Sequence, residues 1–328
     1  MHDALVKLLL AILFPGMLSA LTTIMIIIWL ERKIAARIQM RIGPYYVTPK
    51  LGGALQLLAD SLRFFFQEVI VPHQVDYWPY ILAPILSLTL TLATLLFIPV
   101  GPGLAAVYTP YNLIVFAALV AAIPVLTIVM GWASNNKFSL LGASREALIN
   151  ISYEPILFAI LLSMAVLYGT LDLSKAVEKQ FLPGTLLNPI AALVAFIIFL
   201  TMTDRVPFDL VLGEQEIVAG PYTEYSGIMF GLTMAKDYLL LYSLALVYAI
   251  LFLGGWKPFA GPIGALALYV KAFIVMLIAV FLRAIYPRMR LDKALRFMWF
   301  RLLPLALLSI VYSIALKIFI IQLGWWWS

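Results

Sequence analysis

Apolar stretches of about 18 or more residues recur from one end of this chain to the other, and nothing else in the sequence limits its fold so strongly. Wound as a helix, such a stretch matches the hydrocarbon thickness of a bilayer. A membrane barrel would instead alternate over segments of about ten residues. Eight spans are read, at 4–30, 78–99, 111–132, 151–171, 186–203, 227–253, 265–285 and 302–323. The expected fold is an all-α integral membrane protein: one polytopic domain over 1–328, with eight transmembrane helices. Only 12% of the residues are charged, about half the share of a typical soluble domain, and 64% are apolar. The first span is long enough to need a tilt, and Pro15-Gly16 is expected to kink it. It exceeds the apolar core of a signal peptide and no small-residue cleavage site follows, so it is read as a retained helix.

Lysine and arginine set the orientation. With the first span ending inside the cell, fifteen of the 22 basic residues fall on that side, five on the other and two within spans. This bias puts both termini outside. It also accounts for the net charge of +6 without nucleic acid as a partner. The inner side receives twelve of the 16 acids as well. Segment 52–71 reads GGALQLLADSLRFFFQEVIV, with Leu55, Leu58, Leu62, Phe65, Phe66 and Val69 at helical spacing and Gln56, Asp60, Arg63 and Gln67 between them. That pattern predicts an amphipathic helix lying in the lipid interface. Trp325, Trp326 and Trp327 read as an interfacial anchor.

Several chemistries are excluded. With no cysteine there are no disulfides and no thiolate-held iron–sulfur clusters, and with His2 and His73 as the only histidines no metal site is expected. No nucleotide loop and no Ser/His/Asp arrangement is present. What remains is charge. The loop at 204–227 gathers Asp204, Asp209, Glu214, Glu216 and Glu224. Carboxylates this close repel, so at least one is expected to hold its proton toward neutral pH; a solvated loop balanced by Arg205 is the alternative. Further charges fall at membrane depth: the adjacent Lys236 and Asp237, Lys271, and Glu154 at a span start with Arg145 and Glu146 one to two turns earlier. Together they suggest a buried polar axis, against the alternative that each reaches the interface separately. Arg32, Lys33, Arg37 and Arg41 continue the first span, and Arg283, Arg288, Arg290, Arg296 and Arg301 surround the last turn; most express the inside-positive bias.

Five stretches carry a family resemblance: ERKIAARIQMRIGP at 31–44, LLADSLRFFFQE at 57–68, GWASNNKFSLLGASREALINISYE at 131–154, DRVPFDLVLGEQEIVAGPYTEYSG at 204–227 and LRAIYPRMRLDKALRFMWFRLLPLAL at 282–307. The chain resembles the membrane subunit called H of NADH–quinone oxidoreductase (complex I), together with its homologues in ferredoxin-linked membrane-bound hydrogenases and sulfur reductases. The resemblance implies a subunit that links electron transfer in a peripheral arm to proton or sodium translocation in a membrane arm, in the plasma membrane of a prokaryote. It implies no redox centre and no cofactor in this chain, a quinone chamber in the quinone-using members, and iron–sulfur clusters in partner subunits. Implied partners are peripheral iron–sulfur and hydrogenase-like subunits on the cytoplasmic side, and antiporter-like and small subunits in the membrane.

Carried onto this chain, the implied proton relay is Asp209, Glu214, Glu216 and Glu224, with Glu154, Glu146, Asp237 and Lys271 deeper in. Arg37, Arg41, Asp60, Arg63, Arg205 and Arg283 match charged positions near the chamber mouth or a subunit interface. There are departures: Leu212 stands where the family usually has an acid, Val211 where it has proline, Ile149 where it has glutamine, and Asp237 replaces a usual glutamate. EQEIVAGPYTEYSG looks like the hydrogenase branch, whereas RIGPYYVTPK and LLADSLRFFFQE look like the quinone enzymes. The rival expectations are the equivalent hydrogenase or sulfur reductase subunit without a quinone site, a free-standing cation-coupled transporter, and a passive scaffold.

Overall fold

The computed structural model describes residue 9, residues 12–259 and residues 261–322, and of Glu214 and Gln215 the backbone alone. Among the described residues the chain is helical, without a strand. In order it forms α1 (Met17–Ile38), α2 (Gln56–Phe66), α3 (Tyr77–Leu96), α4 (Asn112–Ala133), α5 (Lys137–Tyr168), the short α6 (Leu173–Lys179) and α7 (Gly184–Leu187), α8 (Pro189–Met202), α9 (Glu214–Ile217), α10 (Gly227–Phe252), α11 (Gly261–Ile285), α12 (Leu291–Phe297) and α13 (Leu303–Gln322).

Six described runs are long and apolar enough to cross a membrane: α3, α4, α5, α10, α11 and the continuous stretch of α12, a π turn and α13. The chain is a multi-pass membrane protein. The other two expected spans are helical but fall short of that standard. α1 carries Glu31, Arg32, Lys33 and Arg37 in its C-terminal part, and the expected beginning of its span lies outside the described residues. α8 has 14 residues, about 21 Å of helix against a hydrocarbon core of about 30 Å. The tryptophans at 325–327 also lie outside the described residues.

Local sequence explains where the helices differ from expectation. The chain turns at 13–16 and α1 starts only after Gly16, so Pro15-Gly16 interrupts the helix instead of kinking it. α5 begins already at Lys137, because the Asn136 side chain accepts a hydrogen bond from the Phe138 N–H and caps it. Arg145 and Glu146 therefore ride on the same 32-residue helix as Glu154. The interfacial helix is present but shorter than 52–71, since left-handed Gly52 and Gly53 (φ 61° and 78°) end the preceding 3₁₀ turn.

α10 is the axis of the bundle and packs against α1, α2, α3, α8 and α11. Between residues 239 and 252 only Tyr248 is not buried. A helix apolar on all sides belongs in the interior. The outer helices leave Ile263, Leu266 and Phe281 of α11 and Leu307, Val311 and Phe319 of α13 exposed, as lipid-facing surfaces do. The 204–226 segment folds down against α5 instead of extending into solvent. Gly142 permits it: a Cβ there would lie 2.5 Å from Pro221 Cδ and 2.7 Å from Pro221 N.

One ion cluster ties four parts of the chain together. Glu31 of α1 is buried, and its Oε1 takes Arg205 Nη1 at 2.6 Å and the Arg283 guanidinium of α11 as well. Its Oε2 accepts from the Tyr238 hydroxyl of α10 at 3.1 Å, and the Arg205 guanidinium lies 4.7 Å from the Tyr238 ring centre. Breaking a buried pair on one side is far costlier than replacing both partners, because it strands a dehydrated charge. Glu31→Gln is expected to destabilise the fold by about 3–5 kcal/mol, and adding Arg205→Met to recover part of the loss. Thermal unfolding of both variants in detergent micelles checks this.

Candidate functional site

Below α2, the helices α1, α10 and α11 enclose a cavity of about 830 Å³. Its long wall is apolar, from Leu21, Ile24, Met25 and Ile28 of α1 to Phe64, Phe230, Met234 and Val280. Its polar end is Glu31, Tyr238 and Arg283, with Arg32, Arg41 and Asp60 nearby. Leu21 and Glu31 lie on one helix about 15 Å apart, so the cavity is a slot with a greasy length and a charged end. Asp60 is held by Arg32 at 2.5 Å and by the Gln56 amide at 3.0 Å.

A second cavity, of about 400 Å³, adjoins the first and shares Arg32, Asp60, Phe64 and Phe230 with it. Arg63, Gln67, Thr223 and Ser226 complete its polar lining. It also reaches Tyr222, and Tyr222 leads inward.

Lys236 of α10 is buried, and its ammonium donates to the Tyr222 hydroxyl at 2.8 Å, to Asp237 Oδ1 at 2.8 Å and to Thr127 Oγ1 at 3.1 Å. An ammonium has three protons, and these three acceptors satisfy it. Adjacent helical residues point about 100° apart, yet the flexible lysine stem brings its head back to Asp237. Glu146 of α5 is buried within the field of both. Asp204 belongs to the same group: burial pushes its carboxyl well above the usual carboxylate range, and the charges of Glu146 and Asp237 add to that against the pull of Lys236. It sits at φ 47°, a left-handed conformation that aspartate tolerates better than most residues. Burial likewise raises the Tyr222 phenol, followed by the charge of Asp237. Three carboxyl groups thus face one ammonium, an arrangement that favours a retained proton among them.

The structure distributes the sequence-predicted residues unevenly. Glu146, Asp237 and Asp204 come together, and Asp209 adds its charge to Asp204. Glu154 lies two turns beyond Glu146 on α5, with Tyr153 between them in the field of both. Glu224 stands apart: its carboxylate accepts from the Asn136 amide, beside the stacked Tyr80 and Tyr225 rings. Glu216 is mostly exposed and paired with Arg145 at 2.7 Å. Its hydrogen bond to Arg145 and then that residue's charge hold its carboxyl below the usual range, so the retained proton expected of at least one loop acid is not on Glu216. The Glu214 side chain lies outside the described residues.

Lys271 is not with the acids. It donates to the carbonyls of Leu253, Gly255 and Lys257 at 2.8, 2.8 and 2.7 Å, closing the C-terminal end of α10. Of the basic residues, Arg205 and Arg283 meet on Glu31, Arg41 lines the slot, Arg63 lines the second cavity, and Arg37 faces a separate outer cavity. Leu212, where an acid was expected, packs into the apolar cluster around Tyr222 and Tyr225. Sequence reasoning did not single out Glu31, Tyr222 or Tyr238. A lone acid opening a basic run was the available signal for Glu31; the tyrosines gave none.

The chain also matches known proteins along most of its length. The family described as NADH dehydrogenase matches residues 10–314. The NADH-quinone oxidoreductase subunit called H in Carboxydothermus hydrogenoformans is 39% identical over 292 residues, covering 87% of this chain and 82% of that protein. Proteins of the same name from two strains of Dehalococcoides mccartyi are each 35% identical, covering 89% of this chain and 82% of theirs. The chain is therefore a member of the NADH dehydrogenase family of membrane subunits, the family that includes the subunit called H of NADH-quinone oxidoreductase.

Proposed function

We propose that this chain is the membrane-anchor and coupling subunit of a complex I-like respiratory oxidoreductase in a prokaryotic plasma membrane. In this reading it carries no redox centre and converts electron transfer in a peripheral arm into proton or sodium movement in the membrane. The observation that supports it best is Tyr222, which lines a polar cavity opening from the slot and hydrogen-bonds to the ammonium of the buried acid group. The slot fits a lipid quinone: apolar walls along its length for the tail, and Tyr238, Arg283 and Asp60 at its end for a polar headgroup. Partner subunits with iron–sulfur clusters supply the electrons. Antiporter-like and small membrane subunits receive the protonation change. In this reading the slot's charged end faces the cytoplasm and both termini lie outside, as the inside-positive bias predicts.

Coupling follows from how little energy moves a proton in such a place. Each unit of pKa is about 1.4 kcal/mol, and a charge appearing or vanishing a few ångströms away in a poorly screened site exceeds that. A change at the polar end of the slot acts through the second cavity on Tyr222, and through it on Lys236. The weaker the hold of Lys236 on Asp237, the more readily the proton of the Asp204–Glu146–Asp237 group redistributes. The hydrogenase-type alternative predicts a nickel-binding partner and no quinone requirement. Copurifying subunits and their metal content separate the two.

Two outcomes test the reading. Tyr222→Phe removes one acceptor from Lys236, an interaction of about 1.5–3 kcal/mol. That shifts the proton equilibrium of the acid group by roughly one to two orders of magnitude. In sealed vesicles, ion movement per electron is expected to fall while electron transfer continues; an unchanged ratio removes Tyr222 from the path. For Asp204 the folded carboxyl titrates above its unfolded value, so the unfolded state releases its proton first as pH rises. Stability therefore declines from the ordinary carboxylate range upward to the raised value. Melting temperatures between pH 5 and 8 are expected to fall with pH in the wild type and to fall less in Asp204→Asn.

A further inference from the structure

A third cavity, of about 620 Å³, opens on another flank of α1 and shares only Arg41 with the slot. Its lining mixes two characters: Trp29, Leu30 and Ile34 are apolar, Lys33 and Arg37 of α1 and Arg41 just beyond it are cationic, and no carboxylate lines it. Lys33 and Arg37 are one helical turn apart, about 6 Å along the axis, so their charges share a side of α1. Among the described residues none of the three cations forms an ion pair, and the Arg41 guanidinium donates only to the Gln39 side chain. Arg32, Arg145, Arg205 and Arg283, by contrast, each meet a carboxylate.

The floor of the cavity is built from backbone. The Trp29 indole N–H donates to the Gly52 carbonyl at 3.2 Å, which fixes the turn before α2 against α1. A Cβ on Gly52 would lie 3.7 Å from Trp29 Cζ2 and 3.9 Å from Lys33 Nζ, and one on Gly43 would come within 3.3 Å of the Lys33 stem. The two glycines leave room beside Lys33 that larger residues would fill.

We propose that this cavity binds an anionic phospholipid, its phosphate held by Lys33, Arg37 and Arg41 and an acyl chain laid along Trp29, Leu30 and Ile34. Three features select that occupant over a soluble anion or a protein segment. Cations without acids call for negative charge. The apolar side chains stand on α1 among the cations, so a ligand with a charged head and an apolar chain meets both. The tryptophan and the arginines take the positions at which such residues anchor at a lipid interface. An acidic protein segment would satisfy the cations but leave the apolar side chains unmatched. Lys33 and Arg37 line neither the slot nor the second cavity, so they test the assignment separately from the coupling role; Arg41 lines the slot as well and is left unchanged in the test.

The test uses the assembled complex, purified in a neutral detergent, with retained phospholipids counted by mass spectrometry. Lys33→Gln with Arg37→Gln is expected to lose one tightly held anionic phospholipid per assembly with no change in zwitterionic lipid, and Lys33→Arg with Arg37→Lys to keep it. An unchanged anionic count in the neutral pair overturns the proposal. Because the neutral pair risks failing to assemble, a second measurement uses the wild-type complex. Photoactivatable phosphatidylglycerol is expected to label the peptide 29–43 about tenfold more than the phosphatidylcholine analogue, and inorganic phosphate is expected not to compete. Equal labelling by the two lipids, protection of the peptide by a partner subunit, or displacement by inorganic phosphate would each refute the lipid assignment.

Discussion

A charge withdrawn from water inside a bilayer has to be matched by groups of the protein itself, and this chain meets that demand by drawing distant segments together. Glu31 cannot be accommodated by α1 alone. It recruits Arg205 from the loop after α8, Arg283 from the end of α11 and Tyr238 from α10. Lys236 cannot be accommodated by α10 alone and takes Tyr222 from the folded loop and Thr127 from α4. These two knots hold the acidic segment down on the helices. Without them it would be the hydrated loop that its composition otherwise suggests.

The two knots differ in sign. Around Glu31 two guanidiniums face one carboxylate, whereas around Lys236 three carboxyl groups face one ammonium. The second cavity lies between them, bounded by the Arg32–Asp60 pair on one side and by Tyr222 on the other. A positive end and a proton-hungry end separated by one polar chamber form the electrical arrangement that the proposed coupling needs. A negative charge arriving at the first is compensated there without a proton, and its field still reaches the second.

The sequence disclosed elements far better than it disclosed partners. Apolar length placed helices close to all eight expected spans, and the pattern of Leu55, Leu58 and Leu62 located the interfacial helix, because both signals are local. Glu31 was missed because its partner Arg205 is 174 residues away. At least one acid of the loop was expected to hold its proton; burial disposes Asp204 to do so, whereas Arg145 of α5 decides the state of Glu216. Lys271 looked like one more charge on a buried axis. What it meets is a row of unpaired carbonyls beyond α10, a need that every helix end has and that depth in a span does not reveal. Tyr222 and Tyr238 could not stand out in a chain with 16 tyrosines, since only their hydroxyl partners distinguish them.

The fixed ammonium limits what the acid group can do. Lys236 is tethered, fully hydrogen-bonded and buried, so it cannot leave and be replaced in each cycle as a transported cation would. It offsets one negative charge permanently. How the remaining carboxyl charge is distributed then depends on whether Asp204 keeps its proton. A group compensated in this way needs only a small redistribution of charge to change state, and such a redistribution can be passed to a neighbouring subunit without any ion crossing this chain. The tethered lysine therefore suits the relay of charge in the proposed coupling.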